Sequence, residues 1–526
     1  EIVRGATGDL YGADALGGVV QVLTFAPGRP RLRAVVDGGS HSTARASLFG
    51  SGARGRWAGT AAGEWLATDG VRVVAEEDRG VVDVPADSDY QSAFFTAAYA
   101  ADSWQARGRA GVYGEDRGNG TPLQVNETDW RQFSGELSGT GGRGAWRFHV
   151  AGGTQTYYQT FSAVAADRAT ERLTNLQDVP TRFWSAGGQW TRAWGSHVLL
   201  FGAEGHGTES TINETRISFS GVPSGPFVLG GDERGGSGFG RASLAVSDTI
   251  GVGLGVRGNF WRSDPRDPAL ETHSVGFFSP RASLTWRVGT GVSLHGAVYR
   301  AYRTPTLNEL HRGFRVGNVV TNANPVLEPE RLTGVEGGAL FTRGAHSARL
   351  TLFYNLLDDA IANITQAVTP TLITRQRENA DQVRAAGLEI ETDVRLTPNL
   401  TMNALAVVTS SIFRNTPSQP AIEGNRIPQV PRYQLGGGLT YQAPYAVTLA
   451  GQLRVLGAQF DDDQNQLELE AFTVLDAQAA RPVTDRLHAF LAVENLFDSE
   501  YDTGRTPVRT IGWPRTVRGG VRVFLP

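Results

Sequence analysis

The chain has 526 residues, a formal net charge of −4, no cysteine and one methionine, and its 49 basic residues are all arginine. Absent cysteine excludes a disulfide framework, a thiolate metal site and a cysteine nucleophile, and the near-neutral balance lacks the clustered basic excess of a nucleic-acid binder. An apolar share of 40% with low net charge supports a folded core rather than disorder, and 66 glycines, about one residue in eight, are well above the usual share of roughly 7%.

The chain opens on Glu1 rather than Met, and no signal-peptide pattern precedes the first structured-looking segment. A fragment lacking its original N-terminus is therefore expected. No apolar run approaches the ~18 residues of a transmembrane helix; the longest, 94–101, is short and interrupted by Thr96. From there period-two alternation dominates, the signature of strands with two unlike faces. It is seen around 104–112, and at Trp146, Phe148 and Val150 flanking Arg147 and His149. It returns around 252–260 and 281–288, and at Leu388, Ile390, Val394 and Leu396 against Glu389, Glu391, Asp393 and Arg395. Tyr433, Leu435, Leu439 and Tyr441 continue it, then Val447, Leu449, Leu453 and Val455, and finally Val517, Val521 and Val523 against Arg518 and Arg522.

A soluble sandwich shows the same alternation. Three features favour a transmembrane antiparallel β-barrel instead. Strands recur roughly every twenty residues without covering helices. Aromatics (Trp104, Trp184, Trp190, Trp261, Trp286, Tyr433, Tyr441) fall near strand ends, as interface girdles do. Short turns such as 442–445 alternate with long polar connections such as 208–236, 303–329 and 365–386. Residues 31–526, at ~22 residues per strand and connection, predict an all-β barrel of about 22 strands.

Residues 1–24, EIVRGATGDLYGADALGGVVQVLT, resemble the end of the plug domain of TonB-dependent outer-membrane receptors, with Arg4-Gly5, Leu10-Tyr11-Gly12 and Gly17-Gly18 in the motif positions. Ala6 and Gln21 depart from the family's Pro and Asn. Residues 300–330 and 493–526 resemble two barrel motifs of the same family, in family order, although the chain ends Phe524-Leu525-Pro526 rather than on an aromatic. The resemblance implies a plug end at 1–26, a linker at 27–30 and a barrel at 31–526, in the bacterial outer membrane. It implies a monomer among outer-membrane lipids that takes up a small-molecule ligand, above all a ferric siderophore. The TonB complex would drive uptake through an N-terminal box that this stretch lacks. Cobalamin or haem are the alternative ligands, and a passive porin-like channel is the alternative of another class.

The resemblance also implies that Arg4 pairs with two inward barrel glutamates, Glu336 and Glu389. His311 stands where haem-importing members place a ligand. Asp461, Asp463 and Asn465 resemble the start of a calcium loop, although the following positions lack its glycine and final glutamate. Tyr157, Tyr158, Phe161, Arg168 and Arg315 are candidate ligand contacts, since aromatics and arginine grip an anionic chelate. No cofactor is required. The glycine-rich 251–258 lies in strand context without a following helix, so it is no phosphate cradle, and no catalytic motif is present.

Overall fold

A computed structural model describes all residues except Asp14, Ala26, Pro370, Thr371, Ser418 and Pro526. The chain's last residue therefore lies outside the described residues, as do two residues of the expected plug end, Asp14 and Ala26. Twenty-two antiparallel strands close into a barrel, as the strand arithmetic predicts. The first barrel strand, Arg31–Gly39, pairs with the last, Thr516–Leu525, through partners such as Val36 with Val521 and Asp37 with Gly520. Among the described residues no helix is long and apolar enough to cross a membrane.

The two faces follow the alternation. Val517 and Val521 are exposed on the outer face, while Arg518 turns inward to Asp37 and Glu494. Leu254, Val256, Leu284, Leu435, Leu439, Leu449 and Leu453 extend the exposed apolar band around the wall. Side chains of successive strand residues point to opposite faces, so this band is a direct consequence of the period. Trp104, Trp286 and Tyr441 lie at strand ends on that outer face. Trp261 does not: it is buried on the inner face and donates its Nε1–H to Glu233 at 2.9 Å. Its position in the alternation, odd where Leu254, Val256 and Phe260 are even, decides the side.

One rim of the barrel carries tight turns at 55–56, 142–143, 195–196, 290–291, 344–345 and 398–399, and the other carries the long connections. Two expected loops prove to be largely strand. The stretch 208–236 lies mostly within His197–Ile217 and Pro223–Ala245, which turn over at 218–222. The stretch 365–386 contains the ends of Ile361–Val368 and Gln382–Thr397, and all of Ile373–Asn379. The reason is physical. Spanning needs only about 9–11 tilted residues, whereas Glu171–Trp194 has 24. Beyond the hydrocarbon, pairing continues but no apolar outer face is required, so the alternation fades and the stretch reads as loop.

The membrane face yields a test. Val256→Arg, in the part of Ile250–Pro265 below its outer extension, should destabilise the barrel by about 2–4 kcal/mol. Gln452→Arg, on the inner face, should change stability by less than about 1 kcal/mol. Urea unfolding in lipid vesicles, read by tryptophan fluorescence, measures both; equal losses would contradict the assigned faces.

Candidate functional site

The N-terminal segment forms a small unit on the inner wall. Ile2–Arg4 pairs antiparallel with Gly18–Val20, and a single helical turn, Gly8–Tyr11, lies between them. Gly18 has φ 149°, and a Cβ there would stand 2.5 Å from the Val3 carbonyl oxygen, so the close pairing requires glycine. Gly12, at φ 85°, ends the helical turn beside the Arg257 guanidinium, whereas a side chain at Gly17 would meet open space. Leu10 offers its carbonyl to Arg257 Nη1 at 3.3 Å, and Tyr11 is exposed.

Charge holds this unit to the wall. Arg4 donates Nη1 to Glu389 Oε2 at 3.2 Å, and its Nη2 pairs with Glu391. Glu336 is not the third member of that group. It is taken by Arg281, whose Nη2 donates to Glu336 Oε1 at 3.0 Å and whose Nη1 donates to the Ala6 carbonyl at 2.6 Å. Glu389 and Glu391 stand two apart on one strand and so share the inner face, which puts both within one guanidinium's reach. Glu336 lies on Glu330–Arg343, nearer to Arg281, and its carboxylate abuts the Gly5 backbone. Arg257, almost wholly buried, pairs with Glu204. The Asp9 side chain is buried too, with Arg241 Nη1 at 3.6 Å.

Above this seat the connection at 304–329 folds inward. Thr306 caps the helix Leu307–His311 in a reciprocal box with Glu309, a T-x-x-E signal readable in the sequence. Arg303 grips Glu309 through both terminal nitrogens, at 3.0 and 3.1 Å, and also pairs with Glu330. Leu310 and Leu327 bury against Trp261 and Phe277, with Ala13 of the N-terminal segment packed alongside. Next, Phe314–Val316 and Val319–Asn322 join Ile373–Asn379 and Ile361–Val368 in a four-stranded sheet across the mouth. Arg377 ties sheet to helix, donating to the Asn308 and Arg312 carbonyls at 2.5 and 2.8 Å.

The residues singled out in the sequence fall into different places. Tyr157, Tyr158 and Phe161 sit on the strand Gly144–Val164 rather than in a loop, because that strand runs beyond the membrane. Tyr157 faces inward beneath the Arg312 guanidinium at 5.1 Å, Tyr158 points to the opposite face, and Phe161 is buried. Arg168 is a loop staple: it donates Nε to Asp83 Oδ2 at 2.7 Å, joining two connections at the rim. Arg315 lies in the mouth hairpin and donates to the Gly317 carbonyl at 2.6 Å. His311 ends the inward helix with its Nε2 buried beside Gly231 and without a hydrogen-bond partner, and burial lowers its pKa.

The acidic run staples connections together. Asp461 accepts from the Arg505 amide at 2.8 Å and from Gln429 at 2.9 Å, and Asp463 from the Thr365 amide and hydroxyl at 3.0 and 2.6 Å. Asn465 exchanges bonds with the Arg426 backbone at 2.7 and 2.9 Å. Among the described residues no group of three or more histidines and carboxylates gathers as a metal site would need. Composition did not single out Arg312, Gln159, Gln177 and Arg172, because nothing local distinguishes them; the register of two long strands brings them together.

The family described as "TonB dependent receptor-like, beta-barrel" matches residues 45–496 of this chain. The chain belongs to the TonB-dependent receptor family. Its place is the bacterial outer membrane, and the long-connection rim faces outward as in such barrels. An iron-regulated outer membrane virulence protein of Vibrio cholerae is 24% identical over 533 residues, 95% of this chain and 76% of the relative. The pesticin receptor of Yersinia pestis is 29% identical over 153 residues, which is 28% of this chain and 22% of the relative; that match spans about a fifth of the receptor's length. Among solved structures, the ferric yersiniabactin uptake receptor of Yersinia pestis matches with a TM-score of 0.80 at 18% identity, over 100% of this chain and 85% of that chain. A copper transporter matches at 0.83 and 14%, with the same coverage. The ferripyoverdine receptor of Pseudomonas aeruginosa matches at 0.81 and 16%, over 100% of this chain and 76% of that chain. At these identities the likeness establishes the fold.

Two outcomes follow for a receptor of this build. Arg281→Ala strips a mostly buried carboxylate of its partner and should cost about 3–5 kcal/mol, with faster hydrogen exchange at the Leu10 and Tyr11 amides. Arg4→Ala, at a side chain 37% exposed, should cost roughly 0–1 kcal/mol; equal exchange in both variants would contradict this ranking. Burial alone would raise the Glu309 carboxyl, but the Arg303 and Thr306 hydrogen bonds outweigh it and leave its pKa lowered. Its contribution is thus complete above the ordinary glutamate range and lost as pH falls through the lowered folded value. Exchange at the Leu310 amide should rise only in that window; a rise already near pH 6 would contradict it.

Proposed function

We propose that this chain is the receptor barrel of an energised uptake system whose ligand is a ferric siderophore. The observation that carries this reading is the stacked arrangement of mouth and seat. The outer mouth presents arginine and aromatic groups on an inward-folded helix and sheet, directly above a segment held to the wall by ion pairs. A ligand bound in the mouth can therefore bias the segment below through Leu310, Leu327, Trp261 and Ala13, which share one packed cluster. The ion pairs of Arg4, at side chains 22–38% exposed, suit a seat that must release under a pull. Such partly solvated pairs are weak individually.

The names of the compared proteins lean the same way. One relative is iron-regulated, and two of the matched structures take up or bind ferric yersiniabactin and ferripyoverdine. In this reading the TonB complex is the partner that supplies the pull, and the docked segment sets the protein apart from a passive pore.

The reading is tested in an outer-membrane host deleted for its own iron receptors. Expression of the full-length gene should restore growth on chelated iron with a ferric siderophore, and deletion of the host's TonB should abolish that growth. Growth independent of TonB would replace the receptor with a diffusion channel. Rescue by haem or cobalamin alone would replace the ligand.

A further inference from the structure

Guanidinium groups drawn away from water normally face carboxylates, because an unmatched buried charge is costly. Three arginines inside the barrel obey this: Arg4, Arg257 and Arg281 each face glutamate. Several at the outer mouth do not: Arg377 and Arg426 donate to backbone carbonyls, and three half-buried ones gather along one wall. Arg312 donates Nε to Gln177 Oε1 at 2.7 Å and Nη2 to Gln159 Oε1 at 2.6 Å, over the Tyr157 ring. Arg315 donates to a carbonyl of its own hairpin, and Arg172 lies over the Phe219 ring at 5.1 Å. Among the described residues, none of the three is hydrogen-bonded to a carboxylate. The acid of this neighbourhood, Glu214, is engaged by Arg216 at 2.6 Å and Gln177 at 2.7 Å.

Register gathers these cations on one wall. Gln159 stands opposite Gln177, and Arg172 opposite Ala163, on the paired strands Gly144–Val164 and Glu171–Trp194. Tyr157, Gln159 and Ala163 share the inner face by alternation, so Arg172 lies outward of Arg312 along the same wall. Arg315 is close enough to Arg172 to feel its charge. Burial lowers the pKa of both Arg312 and Arg315, and Arg172 adds to the effect at Arg315. Glu214 acts on Arg312 through its charge, yet among the described residues no carboxylate is hydrogen-bonded to any of the three, and Arg172 adds like charge at Arg315.

We propose that Arg172, Arg312 and Arg315 form a receiving site for a ligand that presents carboxylate or phenolate groups on an aromatic frame. The proposal rests on the receptor reading above and narrows its ligand class to anionic aryl chelates. A guanidinium fork matches a carboxylate or a pair of phenolate oxygens bidentately, and the Tyr157 and Phe219 rings supply faces for aryl stacking. Binding supplies direct anionic partners in a partly dry site, where charge-assisted hydrogen bonds count for more than in water. A cationic trihydroxamate complex would instead add like charge to the wall.

The test is tryptophan-fluorescence titration of the full-length receptor in detergent with two probes. One is a strongly anionic iron(III)–tricatecholate complex, the other a cationic iron(III)–trihydroxamate complex of similar size. The wild type should bind the anionic probe at least about tenfold more tightly, with affinity falling as salt rises. The double variant Arg172→Gln/Arg315→Gln should weaken that probe about 10- to 100-fold without weakening the cationic one. Arg56→Gln, at the opposite rim, controls for net charge and should leave the affinity unchanged. Heat-modifiable electrophoretic migration confirms that each variant is folded. Equal binding of both probes, or an unchanged affinity in the double variant, would overturn the proposal while leaving the receptor reading intact. Binding of neither probe overturns it as well, and the receptor reading then stands or falls on the growth assay alone.

Discussion

Everything in this protein depends on the closure of one hydrogen-bonded sheet. In hydrocarbon a backbone amide or carbonyl has no water to turn to, so the strand Arg31–Gly39 must find its second partner 485 or so residues later, in Thr516–Leu525. Once that seam is made no edge remains, and every strand residue is assigned to lipid or lumen. Apolar side chains can then be spent outward rather than in a core. The interior is left to charge, glycine and hydrogen bonds, and the chemistry of the site is built from those groups.

The charges inside are not scattered. Opposed pairs, Arg4 with Glu389 and Glu391 and Arg281 with Glu336, fasten the N-terminal segment, while Arg303 with Glu309 and Glu330 fastens the inward-folded connection above it. These fastenings differ in burial. Arg281 and Glu336 are more sheltered than Arg303 and Glu309, whereas Arg4 and Glu391 are the most open to lumen water. Within the seat, the Arg4 pairs are thus the yielding part and Arg281 with Glu336 the firm one. The packed contact of Leu310, Leu327 and Ala13 joins mouth and seat.

Much of this was legible from residues alone, and the places where it was not share a cause. The alternation around Leu435, Leu439, Leu449 and Leu453 correctly marked the lipid face, because lipid imposes a solvent on each alternate residue. The same reasoning failed at 208–236, where strands stand in water and no such pressure acts. Trp261 lies inside because proximity to a strand end says nothing of which face a residue occupies. Motif context pairs Glu336 with Arg4, yet Arg281 lies nearer on the curved wall and claims it. The helix Leu307–His311 left a signal in Thr306 and Glu309 that a search for long periodicity passes over.

What the sequence by itself determined is the class of object. Period-two alternation, glycine content and three collinear motifs specify a 22-stranded outer-membrane barrel with a docked N-terminal segment, because each is a local or compositional property. What only the tertiary structure decided is which charges meet. Arg312 reaches Gln159 and Gln177, and Arg172 comes beside Arg315, only once two long strands have taken their register and a distant connection has folded into the mouth. Contacts between residues over a hundred positions apart are set by closure and shear, which no short window of sequence contains.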